Sequence, residues 1–354
     1  MDIKIEKSKK LKQKPDFSKL GFGKYFTDHM FMMDYSEEEG WHDARIVPFG
    51  YIPIHPASTV LHYGAEIFEG MKAYKTKDGY QMFRPTENLK RLNDSAERLC
   101  LPTVPEDLFI DALVQLINLD YEWIPSEVGT SLYIRPYMFG NDESLGVHAV
   151  HNATFVIILS PVGSYYAEGL NPVKIIIENQ DVRAVRGGTG YAKCGGNYAA
   201  SLRAGKRAAE KGYSQVLWLD GVERKYIEEV GAMNVMFKIN GTIITPSLTG
   251  SVLPGITRKS CIEILREWGY NVEERLLSVD ELIAAAENGT LEEAWGTGTA
   301  AVVSPIGNLC YEDKCHVVSN NQIGELTQRL YDELTGIQWG NREDKRAWCL
   351  KVKI

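Results

Sequence analysis

One lysine of this 354-residue chain stands where lysines are uncommon: Lys193, in Gly187-Gly-Thr-Gly-Tyr-Ala-Lys-Cys-Gly-Gly-Asn-Tyr198, sits between two glycine-rich turns. Glycines let a backbone approach a bulky ligand closely, and a desolvated lysine has a depressed pKa and becomes a carbonyl-seeking amine. Schiff-base chemistry is one reading of this segment. A phosphate-gripping loop and a plain surface turn are the others, and the local pattern leaves all three open. A second run, Gly296-Thr-Gly-Thr-Ala-Ala301, fits the G-x-G-x-x-A dinucleotide fingerprint, which ought to open a helix. The residues after it, Val302-Val-Ser-Pro-Ile-Gly-Asn308, carry β-branched residues, a proline and a glycine, so no long helix begins there and no nucleotide site is expected. There is no P-loop and no H-E-x-x-H. His148 and His151 lie in a loop-like stretch without clustered thiols or carboxylates, so no metal site is expected.

The elements that must position these residues follow from hydrophobic spacing. Leu89, Leu92, Ala96 and Leu99 recur every three or four residues before Pro102, which predicts a helix over Thr86 to Leu99 whose polar face carries Arg91 and Arg98. A second helix is predicted from Glu106 to Trp123, stopped by Pro125. Ser131 to Tyr137 and Thr154 to Leu159 read as strands of one sheet, giving an α+β first domain. Glycine, proline and small polar residues then concentrate, which places a smaller domain at 1–160, a connection at 161–172 and a larger domain at 173–354. In the second half, strands are predicted at Val173 to Ile177 and Gln215 to Leu219, with a helix at Asn197 to Lys211 ended by Gly212. Asn240-Gly241 marks a hairpin, and Ser278 with Glu281 marks a capped helix start.

Composition narrows the function classes. A formal net charge of −8 opposes a nucleic-acid-binding field, since non-specific binding of that kind needs a basic docking face. The longest strongly apolar stretch, Ala153 to Leu159, is far short of the ~20 residues that span a bilayer. Met1 to Pro15 is lysine-rich without an apolar stretch after it, so it reads as a solvated, partly disordered tail rather than a secretory signal, and the expected location is cytoplasmic. The six cysteines contain no C-x-x-C pair and are expected as free thiols.

Several blocks in order resemble the branched-chain aminotransferases, of the D-amino-acid-aminotransferase-like (fold type IV) pyridoxal-phosphate enzymes. In the first half they are Phe26-Thr-Asp-His-Met30, Leu61-His-Tyr-Gly64, Phe68-Glu-Gly-Met-Lys72, Phe83-Arg-Pro-Thr-Glu-Asn88 with Arg91, and Tyr133-Ile-Arg-Pro136. In the second they are Lys193-Cys-Gly-Gly-Asn-Tyr198, Glu229-Val-Gly-Ala-Met-Asn234, Leu253-Pro-Gly-Ile-Thr257 and Gly296-Thr-Gly-Thr-Ala300. Each block alone is weak; the ordered set covers nearly the whole chain.

The resemblance implies a two-domain α+β fold with the active site between domains, a homodimer, and ping-pong transfer of an amino group from leucine, isoleucine or valine to 2-oxoglutarate. Lys193 would hold pyridoxal 5'-phosphate as an aldimine and shuttle the substrate proton. Glu229 would bind the pyridine nitrogen and Tyr198 the cofactor's O3′, while Arg91, Ile256, Thr257 and Thr299 would hold the phosphate. Glu228, next to Glu229, is expected to face the other way into solvent, with the sequence leaving open which of the two points inward. Phe22, Tyr63, Phe68, Tyr133, Tyr165 and Ala300 match positions that wall an apolar pocket, and Thr299 borders it. Arg135, two residues from Tyr133 on one strand face, would meet the second carboxylate of glutamate. Animal members carry a C-x-x-C redox pair where this chain has Ala301 and Ser304, so thiol switching through that pair is not expected.

Overall fold

The structure is a computed structural model describing residues 1–163 and 170–354. The chain forms two compact units. One is built from the N-terminal elements together with Ala192–Gly195 and Gly336–Ile354, the other from the remaining described residues. In the first unit lie strands β1 (Lys4–Ile5), β2 (His29–Ser36) and β3 (Gly40–Pro48), then helix α1 (Thr59–Tyr63). Strands β4 (Glu66–Phe68), β5 (Met71–Thr76) and β6 (Gly79–Phe83) follow, then helices α2 (Pro85–Arg98) and α3 (Glu106–Leu119) and the long strands β7 (Ser131–Gly140) and β8 (Asn152–Val162). The second unit begins with β9 (Val173–Glu178), α4 (Gly195–Glu210), β10 (Gln215–Leu219) and β11 (Ile227–Val230). It continues with β12 (Asn234–Ile239), β13 (Thr242–Pro246), α5 (Ile256–Glu267), β14 (Val272–Arg275) and α6 (Val279–Glu287). Strands β15 (Leu291–Gly298), β16 (Val302–Tyr311) and β17 (Lys314–Val317) come next, and α7 (Glu325–Gln338) and β18 (Cys349–Lys353) end the chain.

The first sheet runs β1-β3-β2-β8-β7-β5-β6-β18, with β4 added on β7. Leu89, Leu92 and Ala96 of α2 and Phe109, Leu113 and Leu116 of α3 pack with Phe31, Ile67, Ile134 and Ile157 in one core. Burial of each leucine or phenylalanine stabilises by about 2 kcal/mol, which fixes α2 and therefore the direction of Asn88, Arg91 and Ser95, which are buried as well. The second predicted helix is shorter than expected. α3 stops at Leu119 and a separate 3-10 turn covers Tyr121–Trp123, because Asp120 is committed elsewhere. Its carboxylate accepts from the His29 backbone N–H (2.9 Å) and meets the His29 ring at Nδ1 (2.6 Å).

The N-terminal segment is mostly exposed, as expected, but it is anchored at several points where a partly disordered tail was expected. β1 pairs in parallel with β3, the Ser8 N–H donates to His29 Nε2 (2.9 Å), and the Lys12 N–H donates to Asp28 (2.7 Å). The Phe26-to-Met30 block is thus an anchor for the tail and for Trp123, whose indole also donates to Asp28 (2.7 Å). The C-terminal end also departs from the expected division, which put all of 173–354 in one domain. β18 pairs antiparallel with β6 and extends the first sheet.

The second sheet runs β11-β10-β9-β16-β15-β12-β13-β14, with β17 on β16. β9 and β10 are parallel neighbours, so the chain between them must cross over, and α4 does so with Ala204 and Ala208 packed on Val216 and Trp218. The Asn240-Gly241 turn takes positive φ at both residues (48° and 74°), which is why those two residue types are there. Ser278 Oγ accepts from the Glu281 N–H (3.1 Å), as the capping pattern predicts. The expectation of six free thiols is overturned at one place: Cys310 and Cys315 face each other across β16 and β17 and are joined as a disulfide. Their separation of five residues around a tight turn puts the two side chains on one pair of ladder positions, a relation outside C-x-x-C spacing.

Candidate active site

In the first unit the structure gathers charges around Lys193. The Lys193 N–H donates to Ser95 Oγ on α2 (2.9 Å), and its carbonyl accepts from the Phe68 N–H on β4 (2.9 Å), so the residue is gripped from two elements. Its ammonium lies 4.8 Å from the Phe68 ring centroid. Desolvation, reinforced by the Arg91 and Arg135 cations, pushes the amine down to about 8, against the opposite pull of Glu69 and Tyr133. Arg91 is buried and forms a fork-to-fork pair with Glu69, Nε to Oε1 at 2.7 Å and Nη2 to Oε2 at 2.9 Å. Glu69 is 0% exposed and also accepts from Asn88 (2.8 Å) and the Gly70 N–H (3.0 Å).

Tyr133 and Arg135 share one face of β7, as their spacing predicts. Arg135 donates to the Tyr133 hydroxyl (3.1 Å) and its guanidinium lies 4.7 Å from the Phe68 centroid. Phe22 stands edge-on to Tyr133 at 4.9 Å. Gly70 is required here, because a Cβ at that position would collide with the Tyr133 hydroxyl. Phe22, Phe68, Tyr133, Arg135, Arg91 and Lys193 are therefore brought together. Tyr63, at the end of α1, is 44% exposed, and its hydroxyl donates to the Leu145 carbonyl. Tyr165 lies outside the described residues.

In the second unit Glu229 is 2% exposed on β11, opposite Arg183 (3.2 Å), and accepts from the Leu253 N–H (2.6 Å). Arg183 also donates to the carbonyls of Gly190 (2.9 Å) and Ser251 (2.6 Å), which ties the glycine-rich segment to the loop before α5. Asn234, cross-strand from Thr297, donates to the Leu253 carbonyl (2.9 Å). Ile256 and Thr257 form the first turn of α5, whose N-cap Gly255 supplies no side-chain cap. Helix N–H groups left to other partners suit an anion. Thr299 and Ala300 follow the end of β15, where Thr297 Oγ1 is buried without a partner among the described residues. The run from Gly296 leads into strand β16, so the dinucleotide fingerprint is not met. Tyr198 is half-buried in the first turns of α4.

Glu228 corrects the sequence expectation. It is 4% exposed rather than solvated, because all four residues of β11 are buried and the strand has no solvent face. It accepts from the Ser251 hydroxyl, and desolvation pushes its carboxyl up. Glu69, Ser95 and Arg183 also escaped the sequence reading. Asn88 and Arg91, three apart on α2, point the same way and were the one local sign that a buried acceptor faced them. Among the described residues, no group of His, Cys, Asp or Glu could hold a metal and no helix is long and apolar enough to cross a membrane.

Residues 66–309 match the family model of amino-transferase class IV. The branched-chain-amino-acid aminotransferase 2 of Bacillus subtilis is 53% identical over 99% of this chain and 97% of its own length. A probable branched-chain-amino-acid aminotransferase of Staphylococcus aureus is 56% identical over 99% and 98%. Among solved structures, a branched-chain amino acid aminotransferase of T.th. with pyridoxamine 5'-phosphate is similar at a TM-score of 0.76 and 28% identity, covering 94% of this chain and 98% of that one. The same enzyme has also been solved with N-(5'-phosphopyridoxyl)-L-glutamate.

Proposed function

Since the chain belongs to the class IV aminotransferases, we infer that it moves the amino group of L-leucine, L-isoleucine or L-valine to 2-oxoglutarate, with pyridoxal 5'-phosphate as cofactor. The observation that carries this reading is the Lys193 amine, held by two backbone contacts and brought down to about 8. A group titrating there is ~10% neutral at pH 7, against less than ~0.1% for an ordinary lysine. That neutral amine can attack a carbonyl and can take and return the proton of the substrate Cα. Pyridoxal phosphate supplies an electron-poor ring that takes up the charge left on that carbon.

The residues present fit such a group: a desolvated lysine, a buried carboxylate, a helix start without a side-chain cap, and a buried arginine. Glu229 would hold the ring nitrogen, steadied by Arg183 and the Leu253 N–H. Tyr198 would bond O3′, and Arg91, Ile256, Thr257 and Thr299 would hold the phosphate, with Glu69 fixing the plane of the Arg91 fork. Phe22, Phe68 and Tyr133 would take an aliphatic side chain, with Tyr63, Tyr165, Thr299 and Ala300 completing the wall. Arg135 would meet the second carboxylate of glutamate. We further propose that the enzyme works in the cytoplasm as a homodimer, which sedimentation at working concentration checks for the oligomer.

An absorbance spectrum tests the reading. The visible band of the cofactor-loaded protein should fade on adding L-leucine and return with 2-oxoglutarate, and Lys193→Ala should abolish turnover. No band after reconstitution with pyridoxal phosphate, or wild-type turnover by Lys193→Ala, refutes it.

A further inference from the structure

Strand β4 is three residues long, and its two outer residues, Glu66 and Phe68, share one face. Phe68 lies under both Lys193 and Arg135. Glu66 reaches the same neighbourhood from the other end of the strand. Its Oε1 accepts from the Gly195 N–H, and a Cβ at Gly195 would collide with that carboxylate, so glycine is what admits it. Arg135 donates to the Tyr133 hydroxyl, while its Nε is buried without a hydrogen-bond partner among the described residues. The Glu66 carboxylate lies within electrostatic reach of Arg135, and among the described residues no ion pair joins the two. Burial pushes the Glu66 carboxyl up, and the Gly195 N–H and Arg135 hold it down.

We propose that Glu66 is the internal counter-charge of Arg135 and thereby sets how strongly the pocket prefers an aliphatic side chain to an acidic one. This rests on the reading of Arg135 as the group that meets a second substrate carboxylate. A half-buried guanidinium facing phenyl and phenol rings needs a compensating charge when the substrate brings none. Glu66 supplies it with an aliphatic substrate in place. When an acidic side chain docks on Arg135, the same carboxylate becomes a nearby like charge and opposes it. Removing the charge of Glu66 therefore favours acidic ligands and leaves aliphatic ones nearly unchanged.

Glu66→Gln removes the charge and keeps an acceptor oxygen for the Gly195 N–H; Glu66→Asp keeps the charge. The cofactor-loaded proteins are titrated calorimetrically with two non-reacting acids, glutarate and 4-methylvalerate, and assayed with 2-oxoglutarate and L-leucine. Glu66→Gln should tighten glutarate about tenfold, with 4-methylvalerate within about twofold of wild type, and Glu66→Asp should keep the wild-type ratio. The KM for 2-oxoglutarate should fall with kcat nearly unchanged, and in an Arg135→Gln background Glu66→Gln should have no effect on glutarate. The proposal is overturned if both acids shift together, if glutarate is unmoved, or if the effect survives in the Arg135→Gln background. If the wild-type protein holds neither acid, the substrate reading of this pocket falls and the role of Glu66 with it.

Discussion

Replacing Glu69 with glutamine lowers the pH at which the Lys193 amine titrates. The amine sits near 8 because desolvation and two guanidinium groups disfavour its charged form, while Glu69 favours it. A carboxylate in direct electrostatic reach moves such a group by about 1 to 3 units, so neutralising Glu69 should bring the amine down by at least ~1 unit. At pH 7 the neutral fraction would then rise from ~10% to ~50% or more. The assay is timed acetylation of the cofactor-free protein across a pH series, with the Lys193 peptide quantified by mass spectrometry and exposed Lys206 as the internal reference. Glutamine preserves shape but turns an amide N–H₂ toward one arm of Arg91, so the fold of the variant is checked by circular dichroism before labelling. If the half-modification pH of Lys193 is unchanged or higher in a folded Glu69→Gln protein, the assigned charge balance is wrong.

Other consequences can be measured separately. Arg183→Met removes the cation opposite buried Glu229 and should destabilise the protein by about 3 kcal/mol and weaken cofactor retention, read by thermal unfolding and dialysis; unchanged values would remove Arg183 from its supporting role. Gly70→Ala drives a methyl group into the Tyr133 hydroxyl and should raise the KM for L-leucine at least ~10-fold while secondary structure is retained. The unfolded, unreduced chain should take four alkyl groups, at Cys100, Cys194, Cys261 and Cys349, and six after reduction; six before reduction would exclude the Cys310–Cys315 bond. The Lys193 amine falls from an ordinary 10.5 to about 8, so between those values the unfolded chain binds more protons than the folded one and stability must rise with pH. Relative to Lys193→Met, the cofactor-free protein should therefore recover about 3 kcal/mol from pH 8 to pH 10.5, and a flat difference would contradict the shift.

The parts of the fold that could be read from sequence are those fixed by near neighbours. The three-and-four spacing of Leu89, Leu92 and Ala96 points to α2, and with it to the side on which Arg91 stands. Asn240-Gly241 and Ser278 act within a few residues of themselves and behave as expected. What could not be read depends on partners far along the chain. Asp120 ends α3 early because of His29, 91 residues away, and Glu228 is buried because β11 has neither face in water. The tail from Met1 is anchored by Asp28, His29 and β3, none of which its own composition announces.

The same distinction explains why the lysine was found and its carboxylates were not. Lys193 declares itself through the glycines beside it, whereas Glu69 and Glu66 have their meaning only against Arg91 and Arg135, which come from other elements. With Lys193 neutral, the two guanidinium groups and the two carboxylates balance, so the cluster can stay desolvated without a ligand. Protonating the amine leaves one excess positive charge, and an anion that docks there offsets its own loss of solvation against that charge. A cluster whose charge changes by one as Lys193 gains or loses its proton suits a reaction in which that proton moves while anionic ligands come and go. The two glutamates have separate tasks: removing the charge of Glu69 makes Lys193 titrate lower, because Glu69 acts on the amine directly, whereas Glu66 is matched to Arg135. Labelling Lys193 in both variants decides this: its half-modification pH should drop in Glu69→Gln and stay near the wild-type value in Glu66→Gln, and an equal drop in both would refute the division.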